Sequence, residues 1–483
     1  MADEFVDVLI VGAGLSGIGA ASHLRRLCPG RSVAILEARH ALGGTWDLFR
    51  YPGIRSDSDM YTLGYSFRPW TGTKSIADGP SILQYLQDTA REQGIEPLIR
   101  FGHRVRRASW SSDEARWTVD VERDSGEIAS IRCAFLLVCS GYYDYAAGYT
   151  PDFPGRERFA GRVVHPQQWT DDIDYVGKRV VVVGSGATAV TLAPELAKRA
   201  DHVTMLQRSP SYVLSIPSVD RMAGWLLRHL GPSTAHGITR WRNVMVAIGL
   251  FAVCRGRPKF AKDTMLKLVR RQVGPDFDVD THFTPRYNPW EQRLCFVPDG
   301  DLFKAIREQR VSVVTDRIES FTETGLKLAS GAELAADLVV TATGLKLKLI
   351  GGVELIVDGR RVQSSELVNY KGIMFGGIPN FASIFGYTNA SWTLKADLAS
   401  LFVCRLLNHM QQAGVRQCVP QPDNPAMPLR PWVDFSSGYF QRAMDQLPKQ
   451  GLKKPWKLNQ NYISDVMTLR YGAVDDGVLR FTA

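Results

Sequence analysis

Twice in this chain a short β-rich run ends in a glycine turn that opens a helix, and this repeat limits the available folds more than any other feature. Val6-Asp7-Val8-Leu9-Ile10-Val11 runs into Gly12-Ala13-Gly14-Leu15-Ser16-Gly17, then an alanine-rich, helix-favouring stretch to about Leu27. The bare spacing is weak: 43 glycines in 483 residues give roughly one chance match in three chains. Context adds what spacing lacks. A second strand, Ser32-Val33-Ala34-Ile35-Leu36, ends on Glu37, about 20 residues past the motif, where a carboxylate can bind ribose hydroxyls. Gly12 makes the tight turn, Gly14 lets backbone N–H groups approach a pyrophosphate, and Gly17 lets the helix N-terminus pack close to the strand.

The second unit starts with Arg179-Val180-Val181-Val182-Val183 and continues as Gly184-Ser185-Gly186-Ala187-Thr188-Ala189, a G-x-G-x-x-A turn opening a helix. Two dinucleotides are therefore implied. The following strand, Val203-Thr204-Met205-Leu206, ends on Gln207-Arg208-Ser209 rather than on an acid. A carboxylate there would repel a 2′-phosphate, whereas Arg208 can pair with it and Ser209 can hydrogen-bond it, which points to NADPH rather than NADH. Strands alternating with helices indicate α/β architecture, here two doubly wound Rossmann-like domains.

Composition narrows the class. The seven cysteines are scattered without a C-x-x-C pair, which argues against a disulfide framework, a thiol couple or a zinc site and for a cytoplasmic chain. No metal is expected, and neither H-E-x-x-H, G-x-S-x-G nor a phosphate-binding G-x-x-x-x-G-K-[ST] occurs. Met1-Ala2-Asp3-Glu4 leads straight into a strand without a secretory pattern. The apolar run Val244–Cys254 has eleven residues, short of the ~17–25 that span a bilayer. The net charge is +9. Residues 211–275 hold eleven bases against two acids, Asp220 and Asp263, so the remainder balances and nucleic acid is not an expected partner. Apolar helical spacing flanked by these bases suggests peripheral membrane contact through 216–288, or a packed helical subdomain with a solvated basic face.

Between the two turns lies Phe159-Ala160-Gly161-Arg162-Val163-Val164-His165-Pro166-Gln167-Gln168-Trp169-Thr170-Asp171. It resembles the F-x-G-x-x-x-H-x-x-x-W fingerprint of type I Baeyer–Villiger monooxygenases, with Thr170 where that pattern has Pro or Asp. Gly43-Gly44-Thr45-Trp46 with Arg50–Asp57 is similar to the loop over the flavin in that family. Asn288-Pro289-Trp290-Glu291-Gln292-Arg293, Ala342-Thr343-Gly344 and Lys457–Tyr462 resemble the ethionamide-activating group of mycobacteria.

The resemblance implies FAD at residues 1–145 and 346–483, the latter also supplying a C-terminal substrate-site segment. It implies NADPH at 155–215 and 289–345, with a helical insertion over 216–288 at the substrate entrance. It further implies that Gly44, Thr45, Trp46 and Asp57 line the cofactor, and that ketones become esters or lactones through a C4a-peroxyflavin formed with O2, sulfides also being oxygenated. An anionic peroxide needs a cation. Arg293 is the candidate, Arg286 the reserve, and Asp57 the carboxylate that would hold it and orient the nicotinamide. His165, with Phe159, Gly161 and Trp169, is expected to act in a hinge rather than as a base. The alternatives are an N- or S-oxygenating flavin-containing monooxygenase and, from another class, a membrane-associated flavoprotein without oxygenase output.

Overall fold

The computed structural model describes residues 4–483 apart from Thr73, Asp423 and Pro425; Met1-Ala2-Asp3, where no secretory signal is expected, lies outside the described residues. Two sheets organise the chain. In the first, of nine strands, Glu4–Val11 is central and runs parallel to Val33–Leu36 on one side and Ile128–Val138 on the other. Val8, Leu9 and Ile10 are fully buried, as a parallel strand covered on both faces requires. His103–Ser111 and Arg116–Arg123 extend this sheet as an antiparallel meander, and the late strands Glu354–Val357 and Phe381–Ser383 return to it.

The second sheet has five parallel strands in the order Val311–Thr315, His202–Gln207, Arg179–Val183, Leu338–Thr341, Arg162–Val164. Each glycine turn thus leaves the carboxyl end of an interior strand, where the crevices of open α/β sheets bind ligands. All seven cysteines are buried and free, and no helix among the described residues is long and apolar enough to cross a membrane.

Between the second sheet's strands the chain makes the helices Arg221–His229, Pro232–Gly256, Pro258–Val273 and Val279–His282. Asp220 caps the first by accepting from the Ala223 amide at 2.9 Å. Pro232 and Pro258 open the next two, at the position where a missing N–H costs nothing. The long helix Pro232–Gly256 has two seats. Val244 packs with Tyr387 and Leu394 against the first sheet's unit, whereas Cys254 and Leu250 pack with Tyr212, Met265 and Leu294 beside the second.

One of the eleven bases expected at the surface is interior. Arg240 is 6% exposed, donates to the carbonyls of Tyr61 at 3.0 Å and Gly64 at 2.7 Å, and pairs with Asp397 at 3.2 Å. These carbonyls lie at the end of the short helix Met60–Leu63, where helical backbone lacks donors of its own. Burial opposes ionisation of Asp397, but His23, Arg240 and the Ser66 amide together hold its carboxyl below the ordinary value. Losing Arg240 would leave that buried charge to His23 and the Ser66 amide, a weaker compensation.

His236, one turn earlier, packs near the Tyr61 ring at 6.2 Å and has an unpartnered Nε2. Burial, aided by the Arg240 charge, pushes its pKa down to about 4. An unfolded histidine titrates near 6.5, so this contribution to stability is complete above about pH 6.5 and is lost as pH falls toward 4. The urea midpoint, followed by tryptophan fluorescence, is expected to drop between pH 7 and pH 5, and the drop should be shallower in His236→Gln.

Candidate active site

Both glycine turns open onto one cavity of about 850 Å3. At the first, Gly12 takes φ +103°, and a Cβ on Gly17 would lie 1.9 Å from the Gly12 carbonyl oxygen. The helix Leu15–Leu27 begins at Gly14 without a side-chain cap. Its first amides therefore face the cavity unanswered, an arrangement suited to the pyrophosphate of FAD. Gly44 lies against Gly14, its Cα 3.5 Å from where a Gly14 Cβ would be, and Thr45 Oγ1 meets the Tyr145 hydroxyl at 3.3 Å. Trp46 continues the same wall.

Glu37 is set behind this turn. Its carboxylate accepts from the Ala13 amide at 2.8 Å and the Arg39 amide at 3.0 Å. Burial raises its pKa, while the two amides oppose that rise. The carboxylate thus stabilises the turn itself.

The second turn repeats the pattern. Gly184 takes φ +145°, and a Cβ there would lie 2.3 Å from the Ala342 carbonyl oxygen; at Gly186 an added Cβ would meet nothing within 4 Å. The helix Ala187–Leu196 again starts without a side-chain cap. Ser185 Oγ donates to the Ser209 carbonyl at 3.0 Å, Ala189 is fully buried, and Thr188 hydrogen-bonds the buried Tyr51 hydroxyl, whose pKa burial pushes up to about 12. Arg208 and Ser209 line the cavity, joined by Arg317 and Arg442. None of the three guanidiniums pairs with a carboxylate among the described residues, which leaves this end positive and fit for the NADPH 2′-phosphate. Arg442 lies 3.6 Å over the Tyr149 ring.

Between the two turns Arg293 and Asp57 meet at 2.9 Å. The Arg293 side chain keeps about a third of its surface open (36%), toward the cavity it lines. The Asp57 carboxylate holds its guanidinium charged, against the opposing effect of desolvation, and Tyr142, Tyr439 and Tyr143 add to that hold. Tyr142 and Tyr143 join hydroxyls at 2.8 Å, Tyr142 stacks on Trp392 at 5.2 Å, and Trp392 donates to Ser16 Oγ at 2.8 Å. Arg286 is exposed and stands off the cavity wall. Sequence reasoning missed the three tyrosines. Gly141, at φ +68° just before two of them, was the available signal.

The residues from Phe159 to Trp169 are placed elsewhere. Phe159 packs on Phe321 at 5.7 Å and Trp169 on Tyr175 at 6.0 Å, in different hydrophobic clusters. Gly161 abuts the Asp337 carbonyl, 2.5 Å from an added Cβ. His165 Nδ1 accepts from the Gln167 amide at 3.1 Å, and Nε2 lies 3.0 Å from the Gly344 carbonyl. With one nitrogen accepting and the other donating, the ring is neutral, and burial lowers its pKa. None of these four residues lines the cavity.

Comparison with known proteins identifies the family. Residues 76–224 match the flavin-binding monooxygenase-like family and residues 10–84 the NAD(P)-binding Rossmann-like domain. The FAD-containing monooxygenase EthA of Mycolicibacterium smegmatis is 53% identical over 480 residues, covering 99% of this chain and 97% of the relative. EthA of Mycobacterium tuberculosis H37Rv is 53% identical over 479 residues, covering 99% and 98%. Among solved structures, a steroid monooxygenase bound to NADP superposes with a TM-score of 0.77 at 22% identity, covering 99% of each chain. A cyclohexanone monooxygenase does so with 0.77 at 20% identity, covering 99% of this chain and all of the other. With two uncapped dinucleotide turns facing one cavity and this extent of identity, the chain belongs to the FAD-containing monooxygenases, enzymes of the flavin monooxygenase family that use FAD and NADPH.

Proposed function

We propose that this enzyme performs Baeyer–Villiger oxidation, converting ketones to esters or lactones, and that it also oxygenates sulfides. The observation that carries the reading is Arg293 held by Asp57 at 2.9 Å inside the cavity shared by both turns. FAD at the Gly12 turn, once reduced by NADPH, supplies the oxygen-activating chemistry. The chain's own residues do the rest. The Gly184 turn and Arg208 bind NADPH, Ser209 adds a hydroxyl beside Arg208, and Gly44, Thr45 and Trp46 wall the flavin. Glu37 supports the first turn and offers its remaining acceptor capacity to the ribose. Arg293 sets a fixed positive charge where negative charge on oxygen develops, and Asp57 keeps it oriented, so no solvent has to reorganise. The segment Phe159–Trp169 serves as packing and hinge between the two sheets. Residues 1–145 with 346–483 would hold FAD, 155–215 with 289–345 NADPH, and 216–288 would form the substrate entrance.

Product analysis by mass spectrometry after incubation with NADPH, oxygen and cyclic, aryl or long-chain ketones is expected to show mass gains of one oxygen as ester or lactone. Oxygenation of amines and sulfides alone would instead favour an N- or S-oxygenating enzyme. Arg293→Ala is expected to lose ketone oxidation by about 10²–10³-fold while NADPH still bleaches the flavin under anaerobic conditions; unchanged ester formation would remove Arg293 from its assigned role. Arg208→Ala is expected to raise the KM for NADPH by about 10–100-fold, the worth of a charge-assisted contact, and to leave the KM for NADH nearly unmoved in steady-state assays.

A further inference from the structure

The helix Pro232–Gly256 is buried along one side and carries apolar side chains on the other. Thr239, Arg240 and Val244 point inward, whereas Ile238, Trp241, Met245, Val246 and Val253 share the opposite face and are exposed, Met245 at 53% and Val246 at 63%. Spacings of three, seven, eight and fifteen residues from Ile238 fall on one side of a 3.6-residue helix. No charged residue interrupts 243–254, and the stripe from Ile238 to Val253 is about 22 Å long at the α-helical rise. A surface helix of a globular protein ordinarily presents its polar side to water. Two neighbours widen the apolar face. Met222 and Trp225 are exposed on the preceding helix. On the other side the Trp241 ring meets Tyr462 at 5.6 Å, where Ile463, Met467 and Tyr471 are exposed in turn.

Bases lie on the helices before and after this one in the chain. Arg221, Arg228, Arg257, Lys259, Lys267 and Arg271 are exposed and form no ion pair among the described residues, and residues 211–275 carry the whole of the chain's net +9. We propose that this face seats on an anionic lipid bilayer, with the apolar side chains at the headgroup–acyl boundary and the bases against lipid phosphates. An exposed apolar patch with a charged rim marks an interaction surface, and the sign of the rim selects the partner. A two-fold contact between copies through the same face would set like-charged rims together. The helix also links the surface to the chemistry: its buried Val244 packs on Tyr387, which lines the cavity. A lipid-dissolved substrate would therefore meet the cavity one helix diameter from the bilayer.

The test is flotation of the FAD-loaded enzyme with phosphatidylcholine vesicles, with and without phosphatidylglycerol. Co-flotation with the anionic vesicles alone, reversed by high salt as surface charge is screened, is expected. The double variant Met245→Glu/Val246→Glu should reduce the bound fraction by about tenfold, and Lys259→Glu should weaken binding chiefly at low salt. Flavin absorbance and a native melting profile establish that the variants are folded. Absence of flotation on anionic vesicles, equal flotation on neutral ones, or unchanged flotation of the double variant would overturn the proposal. So would conversion of a dimer to a monomer by the double variant in size-exclusion chromatography, which would assign the face to a second copy.

Discussion

Two helices of this protein aim amides that no side chain caps into one cavity. The helices starting at Gly14 and Gly186 both lack a capping side chain, and both point their positive ends into the same cavity. A helix N-terminus left this way is unfavourable unless water or an anion satisfies it. The rest of the architecture keeps that demand in place. Positive-φ glycines at 12 and 184 turn each chain off its strand, neighbouring carbonyls crowd out any side chain there, and Glu37 ties down the first turn through the Ala13 amide. The dinucleotides complete electrostatics that the chain leaves open.

Charge is handled differently in the three regions of the cavity. The Gly12 end relies on backbone amides. The Gly184 end adds guanidiniums at Arg208, Arg317 and Arg442 that pair with no carboxylate among the described residues. Between them Arg293 pairs with Asp57 beside three tyrosines. A guanidinium among aromatic rings and a carboxylate stays charged and is held in one orientation.

The glycine turns were readable from sequence because their constraint is local: strand, turn and helix follow one another within about 25 residues. The NADPH preference rested on Arg208, a strand-end residue whose neighbourhood is likewise fixed by its own unit. Other features were hidden for physical reasons. Tyr439 joins Tyr142 and Tyr143 from almost 300 residues away, with no spacing rule to connect them. Arg240 looked like one more surface base because its partners are backbone carbonyls and the distant Asp397, which leave no charge pattern nearby. In the helix Pro232–Gly256, apolar residues on both sides cancel the periodicity that would have shown which face is buried. The carboxylate of Glu37 ended its strand as expected, yet its direction toward the turn's amides depends on the loop before Arg39.

The long insertion helix has unequal seats. Near its start Arg240 is bolted to the first unit by carbonyls and a buried ion pair; near its end Leu250 and Cys254 pack in an apolar cluster beside the second unit. It is therefore seated on both units. Charged, directional bonds resist sliding, and apolar surfaces give way by rotamer changes. A displacement of the two units relative to each other would accordingly be resisted most at the Arg240 end, where hydrogen bonds and an ion pair would have to break together.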